Sequence, residues 1–294
     1  MNSDDVLNDS RISRLVETAL IEDIGLGDVT GDATVGEADL GAGEFLCKED
    51  GVIAGLEVAA LVFRYCDHSI TLTPKVFDGR QVRTGTVVAT IDGNARGILR
   101  GERTALNFLQ RMSGIATATR AYVQKVEGTG TKITDTRKTA PGLRGLDKLA
   151  VRLGGGVNHR FGLDDMVLIK DNHIVAAGGI VRAVMLCREA LGPNSPPMGI
   201  EVETKNLAEV EEVLTCPGVS RIMLDNFAPE VARKAVVLID HRLEVEASGG
   251  ITLESVRAFA EAGVDFISVG SLTHSVKALD ISLDLTHTAR GPSH

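Results

Sequence analysis

A chain of 294 residues, 44% hydrophobic and 24% charged, has the make-up of a folded globular protein, which excludes wholesale disorder and a fibrous repeat. Forty acidic against thirty-one basic residues leave a net charge of −9, which excludes a general nucleic-acid binder, whose phosphate contacts need a basic excess. At roughly 150 residues per domain two domains are expected, although one barrel also reaches this size.

The polar, acidic opening MNSDDVLNDS reads as neither a signal nor a transit peptide, and no run of about eighteen apolar residues offers a membrane span. Cys47, Cys66, Cys187 and Cys216 stand far apart without a C-x-x-C pair, as expected of reduced thiols in a cytoplasmic protein. RISRLVETAL (11–20) places Ile12, Leu15, Val16 and Ala19 at helical spacing. From 43 to 97, short apolar runs alternate with turn signals, among them the Asp-Gly pairs at 50–51, 78–79 and 92–93. A helix over Leu56–Tyr65 interrupts them. This stretch predicts a small open α+β domain with a mainly antiparallel sheet.

From Glu102 the pattern turns helical, with a break expected at Ser113–Gly114. One unit then repeats: a short β-branched run, a polar cluster, a helical stretch. Six such runs occur: TKITDT (131–136), MVLIK (166–170), GIEVET (199–204), RIMLDN (221–226), LEVEAS (243–248) and DFISVG (265–270). Spacings of about twenty to thirty residues predict βα units and a parallel sheet. An open doubly wound sheet competes with a (β/α) barrel. The barrel is preferred because nearly every run ends in reactive polar residues, which a barrel gathers on one face and an open sheet does not.

Between Lys132 and Lys170 stand eight basic and four acidic residues, a local excess inside an acidic protein. Such a site concentrates a small polyanion without attracting nucleic acid broadly. Arg144, Lys148 and Arg152, at i, i+4 and i+8, read as a solvated helix face. Arg137, Lys138, Arg160 and Lys170 flank strand ends, where guanidinium forks suit planar carboxylates or phosphates. SGGI (248–251) and SVGS (268–271) follow the last two strands, a common phosphate position in such barrels.

Alternation puts Glu201 and Glu203 on one strand face, and Asp225 closes another strand. Two readings of these acids are level: internal ion pairs with the basic cluster, or carboxylates holding a Mg²⁺ that also binds substrate phosphates. His159 and His173 lack the spacing of a zinc site and read as anion donors or core residues. Lys170 also admits a Schiff-base reading, as in a lyase. The glycines at 154–156 read as a helix stop, since no G-K-[ST] follows.

The string DTRKTAPGLRGLDKLAVRLGGGVNHRFGLDDMVLIKDNHI (135–174) resembles the quinolinate phosphoribosyltransferases. The likeness extends through EDIGLGDVT (22–30), ERTALNFLQRMSGIAT (102–117), IEVE (200–203), IMLDN (222–226), EASGGI (246–251) and GVDFISVGSLTHSVKALDISL (263–283). Ala140 and Leu149 depart from the usual Thr and Tyr without removing a charged group. The resemblance implies an α/β protein: an N-terminal α+β open-sandwich domain over 1–112 and an incomplete parallel (β/α) barrel over 113–276, with the tail 277–294 returning to the sandwich.

It implies a cytoplasmic homodimer with shared sites, Arg103 reaching the neighbouring subunit's barrel, and a reaction joining quinolinate to 5-phosphoribosyl-1-diphosphate (PRPP). The products would be nicotinate mononucleotide, pyrophosphate and CO₂, a step of NAD biosynthesis. Quinolinate would meet Arg103, Arg137, Lys138, His159, Arg160 and Lys170. PRPP would meet Lys138, Lys170, Glu201, Asp225, Ser248, Gly249, Gly250, Gly270 and His274, with Mg²⁺ at Glu201 and Asp225. Lys138, Glu201 and Asp225 are the expected catalytic groups. Rival readings are a paralogue acting on another heterocyclic acid, the Schiff-base lyase, and a dimer with a fossil site.

Overall fold

The structure, a computed structural model, describes residues 10–192 and 198–289. The acidic opening 1–9 and the final residues 290–294 of the expected returning tail lie outside the described residues. The chain divides into two compact units, one of residues 10–118, 140–155 and 275–289, the other of 119–139 and 156–274.

In the first unit, helix α1 (Ser10–Ile24) buries Ile12, Val16 and Leu20, one stripe at i, i+4 and i+8. Helix α2 (Val29–Thr34) is capped by Asp28, whose carboxylate accepts from Gly31 N at 2.9 Å. There follow β1 (Leu40–Cys47), β2 (Gly51–Val52), α3 (Leu56–Cys66), β3 (Thr71–Pro74), β4 (Gln81–Val82) and β5 (Val87–Asn94). Asp92–Gly93, expected as a turn, instead lies inside β5 opposite Ala42 and Gly41. Gly93 serves close approach there: a Cβ would sit 2.6 Å from Ile70 Cα. Helix α4 (Ala95–Lys125) then runs about 46 Å without interruption. The expected break at Ser113–Gly114 is absent. Ser113 Oγ accepts from Ala54 N at 2.9 Å, and Gly114 leaves room for the Lys277 carbonyl, which a Cβ would strike. These small residues mark a packing contact.

The second unit carries the repeat. Strand β6 (Lys132–Thr134) comes first; α5 (Arg144–Leu153), which belongs to the first unit, ends at Gly154, where the glycines were expected to stop it. Then come β7 (Val167–Ile169), α6 (Asp171–Ala177), α7 (Ile180–Leu191), β8 (Ile200–Thr204), α8 (Leu207–Leu214), β9 (Arg221–Asp225), α9 (Pro229–Ile239), β10 (Glu244–Ser248), α10 (Val256–Ala262), β11 (Phe266–Ser268) and the short α11 (Ser271–His274). All six expected runs are strands. The sheet is parallel, in the order β6-β11-β10-β9-β8-β7. The first strand lies beside the last, which is the closure of a barrel, and β6 does not pair with β7, so the barrel is incomplete. This order excludes a doubly wound sheet, whose first strand lies inside.

The registers sort the side chains. Val202, Ile222 and Val245 are neighbours across three strands, and all are buried. The alternate positions carry the polar groups: Glu201 pairs with Arg221, while Glu203 and Glu246 flank the apolar Met223. Polar residues in a fully buried lumen are expensive, several kcal/mol per ion, so their retention calls for a chemical reason.

Finally β12 (Ile281–Ala289) completes the antiparallel sheet of the first unit, in the order β12-β1-β5-β3. In that unit Lys148 is 3% exposed, correcting the solvated-face reading for this residue, while Arg152 is exposed. Its neighbour Asp147, fully buried, receives both Nε (2.9 Å) and Nη2 (2.8 Å) of Arg111.

Candidate active site

At the carboxyl ends of the six parallel strands lies a cavity of about 610 Å³. Every wall residue comes from the second unit. One side is cationic. Thr136, Arg137 and Lys138 follow β6; His159 and Arg160 follow a segment bonded to the β6 edge; Lys170 ends β7. That segment is held by a bridge between Thr134 and Val157. The buried Asp135 carboxylate secures it further, accepting from Asn158 Nδ2 at 2.5 Å and His159 N at 2.9 Å.

Arg160 is 8% exposed, and its Nη1 donates to the Met166 carbonyl at 3.1 Å. Its Nε and that of Arg137 are buried donors with no acceptor among the described residues. Burial, then the neighbouring Arg137 charge, pushes the Arg160 guanidinium below its ordinary pKa. Two crowded guanidiniums with unmet donors demand an anion. Lys170 Nζ instead contacts Glu203 Oε2 at 2.7 Å, an ion pair that engages the amine a Schiff-base lysine would need free. His173 is a cap: its Nδ1 accepts from Lys170 N at 2.9 Å and starts α6.

Beneath the cations lies a buried network. His159 Nε2 is 2.9 Å from Glu201 Oε2 and 3.5 Å from Glu246 Oε2. Arg221 Nη1 lies 3.1 Å from Glu246 Oε2, its Nη2 reaches Glu244 at 2.8 Å, and its guanidinium stacks 3.9 Å from the Phe266 ring centroid. Burial, and for Glu246 also the Glu201 charge, raises both carboxyls to about 7. The pair therefore shares a proton near neutrality.

The opposite wall is glycine-rich and anionic. Asp225 ends β9 and accepts from Asn226 Nδ2 at 2.8 Å. Asn226 adopts φ +58°, a left-handed turn that Asn tolerates, and donates its N–H to the Ser248 carbonyl at 2.9 Å. Gly249 has φ +97°, and a Cβ there would strike the Asn226 side chain and approach its N to 2.9 Å. Only glycine fits that position, and the Ser248–Gly250 backbone lines the cavity beside Asp225. Gly270 leaves room for His274 and for Lys138 Cδ, 3.3 Å from where its Cβ would be.

The cavity thus gathers Arg137, Lys138, His159, Arg160, Lys170, Asp225, Ser248, Gly249 and Gly250. Glu201 is fully buried and outside the lining, and Glu203 takes the cavity-facing place on β8. Gly270 and His274 stand behind Lys138, outside the lining. Arg103 is exposed on α4 in the first unit. Sequence reasoning missed Asp135, Arg221, Asn226 and Glu246. A signal existed for Glu246: LEVEAS repeats the Glu-x-Glu alternation of IEVET. The mate of Arg221 is set by register alone.

An incomplete (β/α) barrel whose strand tips hold unmet cations opposite a glycine-lined wall defines an enzyme site for anionic, phosphate-bearing substrates. Residues 28–113 match the family model for the quinolinate phosphoribosyl transferase N-terminal domain and residues 115–284 that for its C-terminal domain. The decarboxylating quinolinate phosphoribosyltransferase 1 of Nicotiana glauca is 47% identical over 286 residues, covering 92% of this chain and 81% of that one. The probable carboxylating nicotinate-nucleotide pyrophosphorylase of Bacillus subtilis is 44% identical over 95% of each chain. The crystal structure of NadC from Streptococcus pyogenes superposes with a TM-score of 0.89 at 40% identity, covering 95% of this chain and 96% of that one. The chain belongs to the quinolinate phosphoribosyltransferase family.

Proposed function

We propose that the chain transfers the phosphoribosyl group of PRPP to the ring nitrogen of quinolinate and releases the 2-carboxylate as CO₂, a step of NAD biosynthesis. One observation carries this reading: Arg137 and Arg160, both in the cavity wall, each hold a buried Nε–H with no partner among the described residues. A planar diacid supplies the acceptors they lack. Across the cavity, the Ser248–Gly250 backbone suits the 5′-phosphate and Asp225 the ribose hydroxyls. Lys138 and Lys170, on the cationic side, are the ammonium groups available to the departing diphosphate.

The ring nitrogen lone pair then forms the bond to ribose C1′ as the C1′–oxygen bond breaks and pyrophosphate leaves. Positive charge on the sugar is offset by Asp225 and Glu203. Cleavage of the bond between C2 and its carboxylate leaves the electron pair at C2, beside the quaternised nitrogen, until a proton replaces the CO₂. The Arg137–Arg160 clamp holds the acid in place, and the chain need supply no covalent nucleophile.

Magnesium accompanies this reading. Asp225, Glu203 and Glu246 line the cavity; Glu246 is held by Arg221, so Asp225 and Glu203 are the pair proposed for the ion, one or two carboxylates together with substrate phosphates being the usual Mg²⁺ setting. Bound there, the ion would neutralise diphosphate charge. Glu201, expected to share this task, has one carboxylate oxygen committed to His159.

The dimer and the role of Arg103 rest on the family resemblance and on the exposure of Arg103. Among the described residues no helix is long and apolar enough to cross a membrane.

The test is incubation with PRPP and Mg²⁺ beside either quinolinate or nicotinate, following CO₂ and pyrophosphate. Both products from quinolinate are expected. Pyrophosphate from nicotinate alone would sink the substrate assignment.

A further inference from the structure

His159 lines the cavity, yet its ring nitrogens are both engaged inside the protein. Nδ1 accepts the main-chain N–H of Arg160 at 2.8 Å, so that nitrogen bears no proton. Nε2 faces two carboxylate oxygens, Glu201 Oε2 at 2.9 Å and Glu246 Oε2 at 3.5 Å, so it bears one. A neutral imidazole has one donor and one acceptor, and here both are committed. The far ends are anchored in turn: Arg221 grips Glu246, and Asp135 takes the His159 main-chain N–H.

We propose that His159 is not a ligand of the diacid but a positioning residue. Held in the Nε2–H form by Glu201 and Glu246, it fixes the main chain of Arg160 and thereby the guanidinium that grips the substrate. This rests on the quinolinate reading of the cavity. Three bonds pin two consecutive residues: Asp135 on the His159 N–H, the imidazole on the Arg160 N–H, and Glu201 on the imidazole. Arg160 Nη1 is tied to the Met166 carbonyl, and its Nε–H has no partner among the described residues. His159, Glu201 and Glu246 could also converge on one ion. The His159–Glu201 bond and the Arg221–Glu246 pair occupy one oxygen of each carboxylate; Glu201 Oε1 and Glu246 Oε1 are buried without a partner among the described residues, so retention of an ion is one outcome of the test.

The experiment uses the full chain labelled with ¹⁵N-histidine, the His159 signals being assigned with a His159→Gln variant. The expected result is one protonated nitrogen, Nε2, both free and saturated with quinolinate. A proton on Nδ1, a doubly protonated ring, or an Nε2 signal that shifts to a new acceptor with quinolinate overturns the proposal. So does a divalent ion retained at one per chain with its ligand atom on His159.

Kinetics supply the second arm. Glu201→Leu removes the acceptor, and the quinolinate KM should rise roughly tenfold or more while the PRPP KM stays within about twofold. Glu201→Gln keeps an acceptor oxygen and should restore the quinolinate KM. Equal rises in both KM values, or failure of the Gln variant to rescue, overturns the positioning role. The free-state ¹⁵N measurement needs no substrate. If that tautomer is found but wild-type protein releases no pyrophosphate with quinolinate and PRPP, the functional reading fails on its own.

Discussion

Arg137 and Arg160 are like charges whose repulsion Glu201 and Asp165 offset only in part, leaving an anionic ligand to relieve it further. A charge-assisted bond to a carboxylate is worth about 1.5–3 kcal/mol. Arg137→Ala should therefore raise the quinolinate Kd roughly 10- to 100-fold and the PRPP Kd far less, as isothermal titration with each ligand will show. An equal loss for both would move Arg137 out of the diacid clamp. Glu201 and Glu246 make a second prediction at this scale. Their carboxyls titrate near 7 when folded and near 4.5 when exposed, so the folded chain holds a proton that the unfolded chain releases. Stability from this source is complete below about pH 4.5 and is lost as pH rises through about 7. Urea midpoints across that window should fall with rising pH, and less steeply in Glu201→Gln; an unchanged slope in the variant would remove Glu201 as the source.

Strand tips were the readable feature at the scale of elements. All six β-branched runs are strands because parallel strands buried on both faces are written as continuous apolar segments. The basic residues beside them were legible from their places at strand ends, whereas three of the eight, Arg144, Lys148 and Arg152, lie on α5 in the first unit. Which of Glu201 and Glu203 faces the cavity was not legible. Both lie on one face of β8, and only the depth of each along the lumen separates them. Lys148 misled for a related reason: helical spacing gives a face, but not what covers it. Gly114 misled in the other direction, since a glycine in a helix is read as a weakness until the carbonyl packed against it is known. Gly114→Ala should cost about 1–3 kcal/mol through collision with the Lys277 carbonyl. Its Tm should fall, and kcat per folded molecule should not; an unchanged Tm would mean that the helix shifts to admit the methyl group.

At the scale of the whole molecule, the sequence declares two units but not that residues 140–155, between two barrel segments, group with the antiparallel sheet. Such an excursion leaves no mark in periodicity. The proposed assembly makes the prediction here. Arg103→Ala and Lys138→Ala should each be nearly inactive alone. Mixed after mild dissociation, they should recover about one quarter of wild-type activity, because half of the dimers then carry one intact site of two. No recovery in verified heterodimers would place Arg103 and Lys138 in the same subunit's site, or Arg103 in none.

The gap between β6 and β7 has a thermodynamic consequence. In a closed barrel that seam would be zipped by main-chain pairing. Here it is crossed by the stretch from Val157 to Arg160, tied to the β6 side through Asp135 and to the approach of β7 through Met166. The diacid proposed to bind Arg137 and Arg160 would fasten the same seam from within. Substrate then acts as a removable staple, and saturation with it should resist heat and proteolysis as a missing strand pair would.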